Sequence, residues 1–264
     1  MKSWLWMSDI HLNFVEPDEA EGFLRRVAHT PHDGVLVGGD LAEYPGFAAL
    51  LMALARCTPA PVWFVLGNHD AYRGSLREMR RLAGDLDATV DNLHWLDVRE
   101  PFLLDDETAL VGHSCWGDGR NGDVGATSTR LNDWIHIEEL SGLSHGERVA
   151  TLARLGDEAA AHLEKVVPAA VAQRPHVAVL THVPPFSGVN MRGDDLIRTD
   201  DLPFYTCAAA GEVLLRLAQE NPGHRFTVLS GHTHGGGTYE VLPNLTAHTF
   251  GTQYGAPRWL PAPL

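Results

Sequence analysis

The feature that most constrains this chain is a set of short apolar segments, each followed at once by polar side chains that can bind metal. Apolar runs of this length, bounded by glycine, proline or polar residues, are typical of buried strands. The polar ends of the five segments are Asp9-Ile10-His11, Asp40, Asn68-His69, His182 and His232-Thr233-His234. In open α/β sheets, sites form beyond the carboxyl ends of the strands. We therefore expect these five ends to meet at one edge of the fold.

Stretches with apolar residues at helical spacing separate these segments. They predict helices over 17–29, 46–56, 74–84, 146–172 and 207–219, with Pro168 expected to end or kink the fourth. The alternation of strands and helices predicts an α/β fold, and without a linker or repeat we expect a single domain over 1–264. Two polar segments, 116–133 and 183–206, are predicted to be loops at the edge of the substrate site.

The charge balance limits the classes of function. The formal net charge is −14, which opposes non-specific binding to nucleic acid phosphates and disfavours nucleic acid as a partner. The apolar amino end stops at Ser8, too early for a signal peptide, and no later run is long enough to cross a bilayer. Cys57, Cys115 and Cys207 form no CxxC pair. The cytoplasm is therefore the expected location, with no membrane partner.

The polar ends combine carboxylate, imidazole and amide side chains. Carboxylate and imidazole ligands suit manganese, iron and zinc ions. Two such ions about 3.5–4 Å apart can bind the attacking and leaving oxygens of a phosphoryl transfer, provided that one carboxylate bridges them. Asp9 and His11 are two residues apart, as are His232 and His234, so that on extended chain each pair points to one side. The pattern indicates a two-metal hydrolase.

These blocks also resemble the signature of a known family. In order along residues 9–234, the chain carries Asp9-x-His11, Gly39-Asp40, Gly67-Asn68-His69-Asp70, His182 and Gly231-His232-Thr233-His234. On these motifs it is similar to the calcineurin-like metallophosphoesterase superfamily. The resemblance implies a four-layer αββα sandwich, in which two mixed β-sheets pack face to face and helices flank them.

The resemblance implies two divalent or trivalent metal ions per chain, for which we favour manganese over iron or zinc. The implied ligands of the first ion are Asp9, His11, Asp40 and His234. The implied ligands of the second ion are Asp40, Asn68, His182 and His232, so that Asp40 is the bridge. His69 is implied to face the substrate, as a general acid or as a hydrogen-bond donor to the transition state.

The partner of His69 stays open between two carboxylates. In the protein-phosphatase branch of the superfamily, a carboxylate three residues after the bridging aspartate orients this histidine, and Glu43 occupies that offset. Asp70 is the rival because it directly follows His69. A carboxylate on the imidazole would raise the pKa of the ring and keep it protonated as an acid.

One departure from that branch bears on the substrate. The branch has an arginine directly after the orienting carboxylate, whereas this chain has Tyr44, which disfavours a phosphoprotein substrate. The candidates for phosphate contact are the arginines in or near the loops that follow ligand-bearing strands, namely Arg73, Arg120, Arg130, Arg192 and Arg198. Of these we expect Arg192 to touch the phosphate.

The sequence thus predicts a dinuclear metal-dependent phosphoesterase that hydrolyses a phosphodiester or phosphomonoester of a small molecule, such as a cyclic or linear nucleotide. Two alternatives are a nuclease of the same superfamily and a non-catalytic metal-binding scaffold with this fold. The net charge disfavours the nuclease, and the intact ligand set with His69 disfavours the scaffold. The oligomeric state, the native metal and the identity of the substrate are left open.

Overall fold

The chain forms two β-sheets that pack face to face, with helices on both outer sides. The structure is a computed structural model, and it describes residues 2–125, 127–189, 191–192, 195–196 and 201–264. The strands are β1 (Trp4–Met7), β2 (Gly34–Val37), β3 (Val62–Phe64), β4 (Leu93–Trp95), β5 (Phe102–Leu103), β6 (Thr108–His113), β7 (His176–Thr181), β8 (Met191–Arg192), β9 (Asp195–Leu196), β10 (Arg225–Ser230), β11 (Gly237–Leu242), β12 (Leu245–Thr249) and β13 (Leu260–Pro261). The helices are α1 (Pro17–His29), α2 (Phe47–Cys57), α3 (Leu76–Thr89), α4 (Asp133–His136), α5 (His145–Val171), α6 (Leu202–Tyr205) and α7 (Ala208–Glu220).

Both large sheets are mixed. The first has the order β13-β1-β2-β3-β4, in which β1 to β4 are parallel and β13 is antiparallel. The second has the order β11-β12-β10-β7-β6-β5, with parallel strands at its centre and antiparallel β11 and β5 at its edges. Since the central strands are parallel, the carboxyl ends of neighbouring strands lie together, which is where the polar motifs occur.

Alternation along the strands produces the layers. In β1, Trp4 and Trp6 join the apolar cluster between the sheets, whereas Leu5 and Met7 join the cluster that includes residues of α1, α2 and α3. Successive side chains of a strand point to opposite faces, so a strand with both faces covered is apolar throughout. The second sheet repeats the pattern, because Leu180 joins the central cluster while Val179 packs with residues of α5 and α7. The predicted four-layer αββα sandwich is confirmed.

The helices agree with the predicted segments except at some ends. The largest disagreement in helix bounds is at α3, which continues to Thr89 rather than ending at residue 84. Pro168 does not end α5, which runs on to Val171. Pro168 is exposed, so water can bind the carbonyl that the missing N–H leaves free, while the neighbouring Val167 and Ala170 stay buried.

The two predicted loops contain short regular elements. Segment 116–133 is irregular until α4 begins at Asp133. Segment 183–206 was predicted to be loop throughout, but it contains α6, β8 and β9. Phe204 of α6 is buried in the apolar cluster that includes residues of α1, α2 and α3. A single apolar turn of this kind is too short to show a helical period in the sequence. The prediction of a single domain over 1–264 stays a prediction.

In the part of the chain that the structure describes, none of the helices is both long and apolar enough to cross a membrane.

The layer between the sheets can be tested by truncating one of its side chains. Leu36 is fully buried there, so Leu36→Ala should lower the free energy of unfolding by about 2–5 kcal/mol through lost contacts and the remaining cavity. The matched control is Leu103→Ala on the exposed edge strand β5, which should change it by about 0.5 kcal/mol or less. Urea denaturation measures both values. Equal values for the two variants would contradict the assignment of Leu36 to a packed central layer.

Candidate metal centre

The seven predicted ligands come together at the carboxyl ends of five strands. Asp9, Asp40 and Asn68 follow β1, β2 and β3, which are neighbours in the first sheet. His182 follows β7 and His232 follows β10, its neighbour in the second sheet. The backbone N–H of His232 donates to both carboxylate oxygens of Asp9, at 2.9 and 3.0 Å, and so connects the ends of the two sheets.

The backbone at these strand ends is unusual. Five of the predicted ligands have a positive φ, namely Asp9 (53°), His11 (42°), Asp40 (53°), His232 (69°) and His234 (61°). Among the described residues other than glycine, the remaining ones with positive φ are Arg73 and Cys115. L-amino acids other than glycine rarely adopt this conformation. Where they do, the surrounding structure enforces it, and such residues concentrate at functional sites. The positive φ values change the chain direction directly after the strands, where these side chains come close together.

Two glycines explain why their motifs begin as they do. A Cβ on Gly67 would collide with the carboxylate of Asp40, and one on Gly231 would collide with Ser8 and the carboxylate of Asp9. Each glycine therefore lets a buried carboxylate lie directly against the backbone of the motif that carries the next ligands. The glycines of Gly-Asn-His and Gly-His-Thr-His serve this close approach.

The predicted ligands of the first ion form a compact group. One donor atom from each of Asp9, His11, Asp40 and His234 lies within 4.8 Å of the others. His11 Nε2 is 3.3 Å from His234 Nε2 and 3.8 Å from Asp40 Oδ2. His234 Nε2 is in turn 3.4 Å from Asp9 Oδ1.

The predicted ligands of the second ion adjoin this group through Asp40. Asp40 Oδ1, the oxygen that does not face His11, is 3.5 Å from His182 Nε2. Asn68 Oδ1 lies 3.0 Å from His182 Nε2 and 3.1 Å from His232 Nδ1. Asp40 thus contributes one oxygen to each cluster, as the predicted bridge requires.

Hydrogen bonds on the far side of the rings decide which nitrogens face the second cluster as acceptors. His182 Nδ1 is 2.8 Å from the carbonyl of Gly38, and His232 Nε2 is 3.3 Å from the carbonyl of Phe204. A carbonyl can only accept, so these nitrogens carry the protons, and in neutral rings the opposite nitrogens present lone pairs. Those lone pairs face Asn68 Oδ1, another acceptor. Two ligands about 2.1 Å from one ion and at right angles lie about 3 Å apart, so a cation fits between them.

The electrostatics of the two clusters also fit metal ions. Burial is the main cause that lowers the pKa of His11 and of His232, each to about 3, and it lowers the pKa of His182 as well. The rings are therefore neutral, the form that binds metal. Burial, followed by the charges of Asp9 and Asp70, raises the pKa of Asp40 well above its usual range. Divalent cations would offset this repulsion among buried carboxylates.

Comparison with known families assigns the chain to a family. The model of the calcineurin-like phosphoesterase family matches residues 4–236, which is most of the chain. This chain belongs to the calcineurin-like phosphoesterase family. The resemblance seen in the sequence motifs is confirmed. Together with the Asp/His cluster, membership indicates a metal-dependent phosphoester hydrolase with a dinuclear divalent metal centre.

Solved structures support the same fold. This phosphoesterase is similar to the phosphopantetheinyl hydrolase from Mycobacterium tuberculosis, with a TM-score of 0.65 and 15% identity over 96% of this chain and 90% of that chain. It is also similar to a dimetal phosphatase from Danio rerio, with a TM-score of 0.58 and 13% identity over 95% of this chain and 87% of that chain. At these identities the likeness shows the fold alone. No curated protein matched the chain.

Asp133 is a residue of this phosphoesterase site that the sequence did not single out. It is buried, and its Oδ1 accepts hydrogen bonds from Asn68 Nδ2 at 2.8 Å and from Tyr72 Oη at 2.6 Å. The first bond turns the oxygen of the Asn68 amide toward the histidines. The ring of Tyr72 stacks on His69, with centroids 4.2 Å apart. An aspartate at the end of a polar loop carries no local sign of burial, so no sequence signal would have found it.

His69 lies beside both clusters without joining either. Its backbone N–H donates to Asp40 Oδ1 at 2.8 Å, and its ring centroid is 4.7 Å from that of His11. Within the described structure, its Nδ1 is buried and has no hydrogen-bond partner. Burial lowers the pKa of His69 to about 4. This direction is opposite to the one expected of an imidazole that is paired with a carboxylate.

The two carboxylates predicted to orient His69 have other partners. Asp70 accepts hydrogen bonds from four backbone N–H groups, those of Asp40, Leu41, Ala42 and Gly67, at 2.7–3.1 Å. Glu43 pairs with Arg73, whose Nε is 3.0 Å from Glu43 Oε2. The orienting role of Glu43 or Asp70 therefore stays a prediction, and these contacts do not support it.

A pocket of about 400 Å³ opens over both clusters, and its lining shows which candidate arginine lies near the predicted metal ligands. Arg130 lines this pocket. Arg73 and Arg120 are paired with carboxylates. Arg192 lies in β8 with its side chain outside the described residues, and Arg198 lies outside them altogether. The contact of Arg192 with the phosphate stays a prediction.

The role of Asp133 can be tested through metal affinity. Asp133→Ala would leave the Asn68 amide and the Tyr72 hydroxyl without their acceptor, so we expect Mn²⁺ to bind about 10- to 100-fold more weakly. The matched control is Asp123→Ala on the same loop, where the exposed carboxylate accepts a hydrogen bond from the nearby Gly125 N–H and, among the described residues, none from a metal-site residue. Titration calorimetry with Mn²⁺ measures both. Unchanged Mn²⁺ affinity in Asp133→Ala would contradict this role.

Proposed function

We propose that this phosphoesterase hydrolyses a phosphodiester or phosphomonoester of a small molecule, with two metal ions per chain and manganese favoured over iron or zinc. The single observation that carries the proposal is that Asp40 offers one carboxylate oxygen to each of two adjacent ligand clusters at the base of an open pocket. Ions bound there would supply Lewis-acid charge to a phosphoryl group and lower the pKa of water.

The size and charge of the surroundings favour a small substrate. The pocket of about 400 Å³ falls in the range of small-molecule sites. The formal net charge of −14 opposes a long polyanion, so a nuclease is the weaker alternative. Arg130 is the arginine whose place in the pocket lining suits it to contact the phosphate, alongside the predicted Arg192.

The residues of the chain divide the work by position. Asp40 would hold both ions at a fixed separation. Asp133 would hold the Asn68 amide in the orientation that points its oxygen toward the second ion. His69 lines the pocket next to Asp40, where an N–H of its ring can donate to a phosphoryl or leaving-group oxygen. Because the Tyr72 ring stacks on it, His69 is held in one orientation without a metal contact.

The proposal predicts activity that depends on bound metal. Protein purified without chelator should carry about two ions per chain by elemental analysis and should hydrolyse bis(p-nitrophenyl) phosphate or p-nitrophenyl phosphate with Mn²⁺. Dialysis against a chelator should abolish the hydrolysis, and added Mn²⁺ should restore it. Absence of hydrolysis of both esters in protein that holds two ions per chain would refute the proposal.

Removal of the His69 side chain separates binding of metal from chemistry. His69→Ala should lower kcat about 10²- to 10⁴-fold while the metal content stays at the wild-type value, since the ring lies outside both clusters. His145→Ala, at the exposed start of α5, is the control and should keep the wild-type kcat. A loss of less than tenfold, or a loss of metal in parallel with kcat, would remove His69 from this role.

A further inference from the structure

Two aromatic side chains of the described residues are exposed to solvent beside the first ligand cluster. Phe14 is 49% exposed and Tyr254 is 53% exposed. The two rings touch edge to face, with centroids 5.4 Å apart and an interplanar angle of 86°. Neither ring belongs to any of the three apolar clusters of the core, so packing of the core does not account for them. We define this pair as the aromatic wall.

The wall borders the place where the phosphoester would react. The Tyr254 ring centroid is 4.5 Å from that of His11, 4.8 Å from that of His234 and 6.3 Å from that of His69. Tyr254 also lines the 400 Å³ pocket. A phosphate held between the clusters therefore has Tyr254 next to it on the His11 side, within reach of the group that the phosphate carries.

The other tyrosines of the pocket lining offer less aromatic surface. Tyr72 is 4% exposed and already stacked on His69. Tyr205 is half-buried, packs against the apolar cluster that includes residues of α1, α2 and α3, and contacts the ring of His232. Tyr254 is thus the tyrosine of the lining with a large exposed fraction, and Phe14 buttresses it from outside the pocket.

From this placement we propose that the wall stacks on a planar ring of the substrate, so that the phosphoester carries an aromatic or heteroaromatic group, as a nucleotide does. The inference rests on the proposed function for the position of the phosphate. Stacking of a base on an aromatic side chain is tolerant of the identity of the base, because every base has a π-face. The aromatic wall would therefore select planar rings as a class, and Arg130 would meet the charge of the phosphate.

The first experiment measures binding and needs no turnover. AMP and ribose 5-phosphate share a phosphate and a ribose and differ in the base, so the ratio of their dissociation constants isolates the ring. By calorimetry with Mn²⁺ present, and with both ligands checked for integrity afterwards, AMP should bind wild-type protein about 5- to 100-fold more tightly than ribose 5-phosphate. The preference should disappear in Tyr254→Ala, weaken in Phe14→Ala and persist in Tyr254→Phe.

Tyr239→Ala is the matched control, since Tyr239 is an exposed tyrosine of β11 that does not line the pocket; it should keep the full preference. If Tyr254→Ala fails to fold, as judged by circular dichroism, Phe14→Ala and Tyr254→Leu carry the same test. Equal binding of AMP and ribose 5-phosphate to the wild type, or an unchanged preference without the Tyr254 ring, would overturn the inference.

A second experiment separates this inference from the proposed function. The methyl ester of thymidine 5′-phosphate and the methyl ester of 2-deoxyribose 5-phosphate contain the same phosphodiester bonds, and only the first carries a planar ring, so phosphorus-31 NMR of their hydrolysis compares them without an aromatic leaving group. A higher kcat/KM for the thymidine ester, lost in Tyr254→Ala, supports the inference. Hydrolysis of both esters with equal kcat/KM would overturn the aromatic wall and leave the hydrolase standing. Hydrolysis of neither ester would count against the hydrolase, while the AMP comparison would still decide the role of the ring.

Discussion

The position of the Asp40 carboxylate is the constraint on which the rest of the site depends. One of its oxygens faces His11 and the other faces His182, so any displacement of this side chain disturbs both ligand clusters at once. Its place is set by backbone rather than by side chains. The N–H of His69 binds Oδ1, and Gly67 leaves the space that the carboxylate occupies. Asp40 itself is held in a left-handed conformation that a free chain would avoid.

Asp70 supports that conformation. Its carboxylate accepts N–H groups from residues 40 to 42 after β2 and from Gly67 after β3, and so holds the two strand ends together. The arrangement concentrates four buried carboxylates in one region, those of Asp9, Asp40, Asp70 and Asp133. Buried charges of one sign repel in a medium of low dielectric, so cations at this site would stabilise the fold as well as serve the reaction.

Further parts of the pocket lining come from loops and from the short helix α6. Arg130 lies in the loop before α4, Tyr205 ends α6, and Tyr254 follows the last strand of the second sheet. The strand ends thus hold the predicted metal ligands, and loops and α6 form the walls of the pocket. This division places precision where ions would need it and leaves selectivity to segments that can change without disturbing the sheets.

The sequence by itself determined the alternation of strands and helices and the position of the predicted metal ligands at strand ends, because both depend on local patterns, whereas the four layers and the ligand roles came from the family resemblance. Helix α1 matches its predicted bounds, and each predicted ligand follows a short apolar strand. The tertiary structure alone decided the roles of residues whose partners are distant in the chain. Asp133 reaches Asn68 across 65 positions, and Asp70 binds backbone amides of another strand end rather than the adjacent His69. Which N–H group or ring meets a carboxylate depends on how whole elements pack, and periodicity within one segment does not encode that.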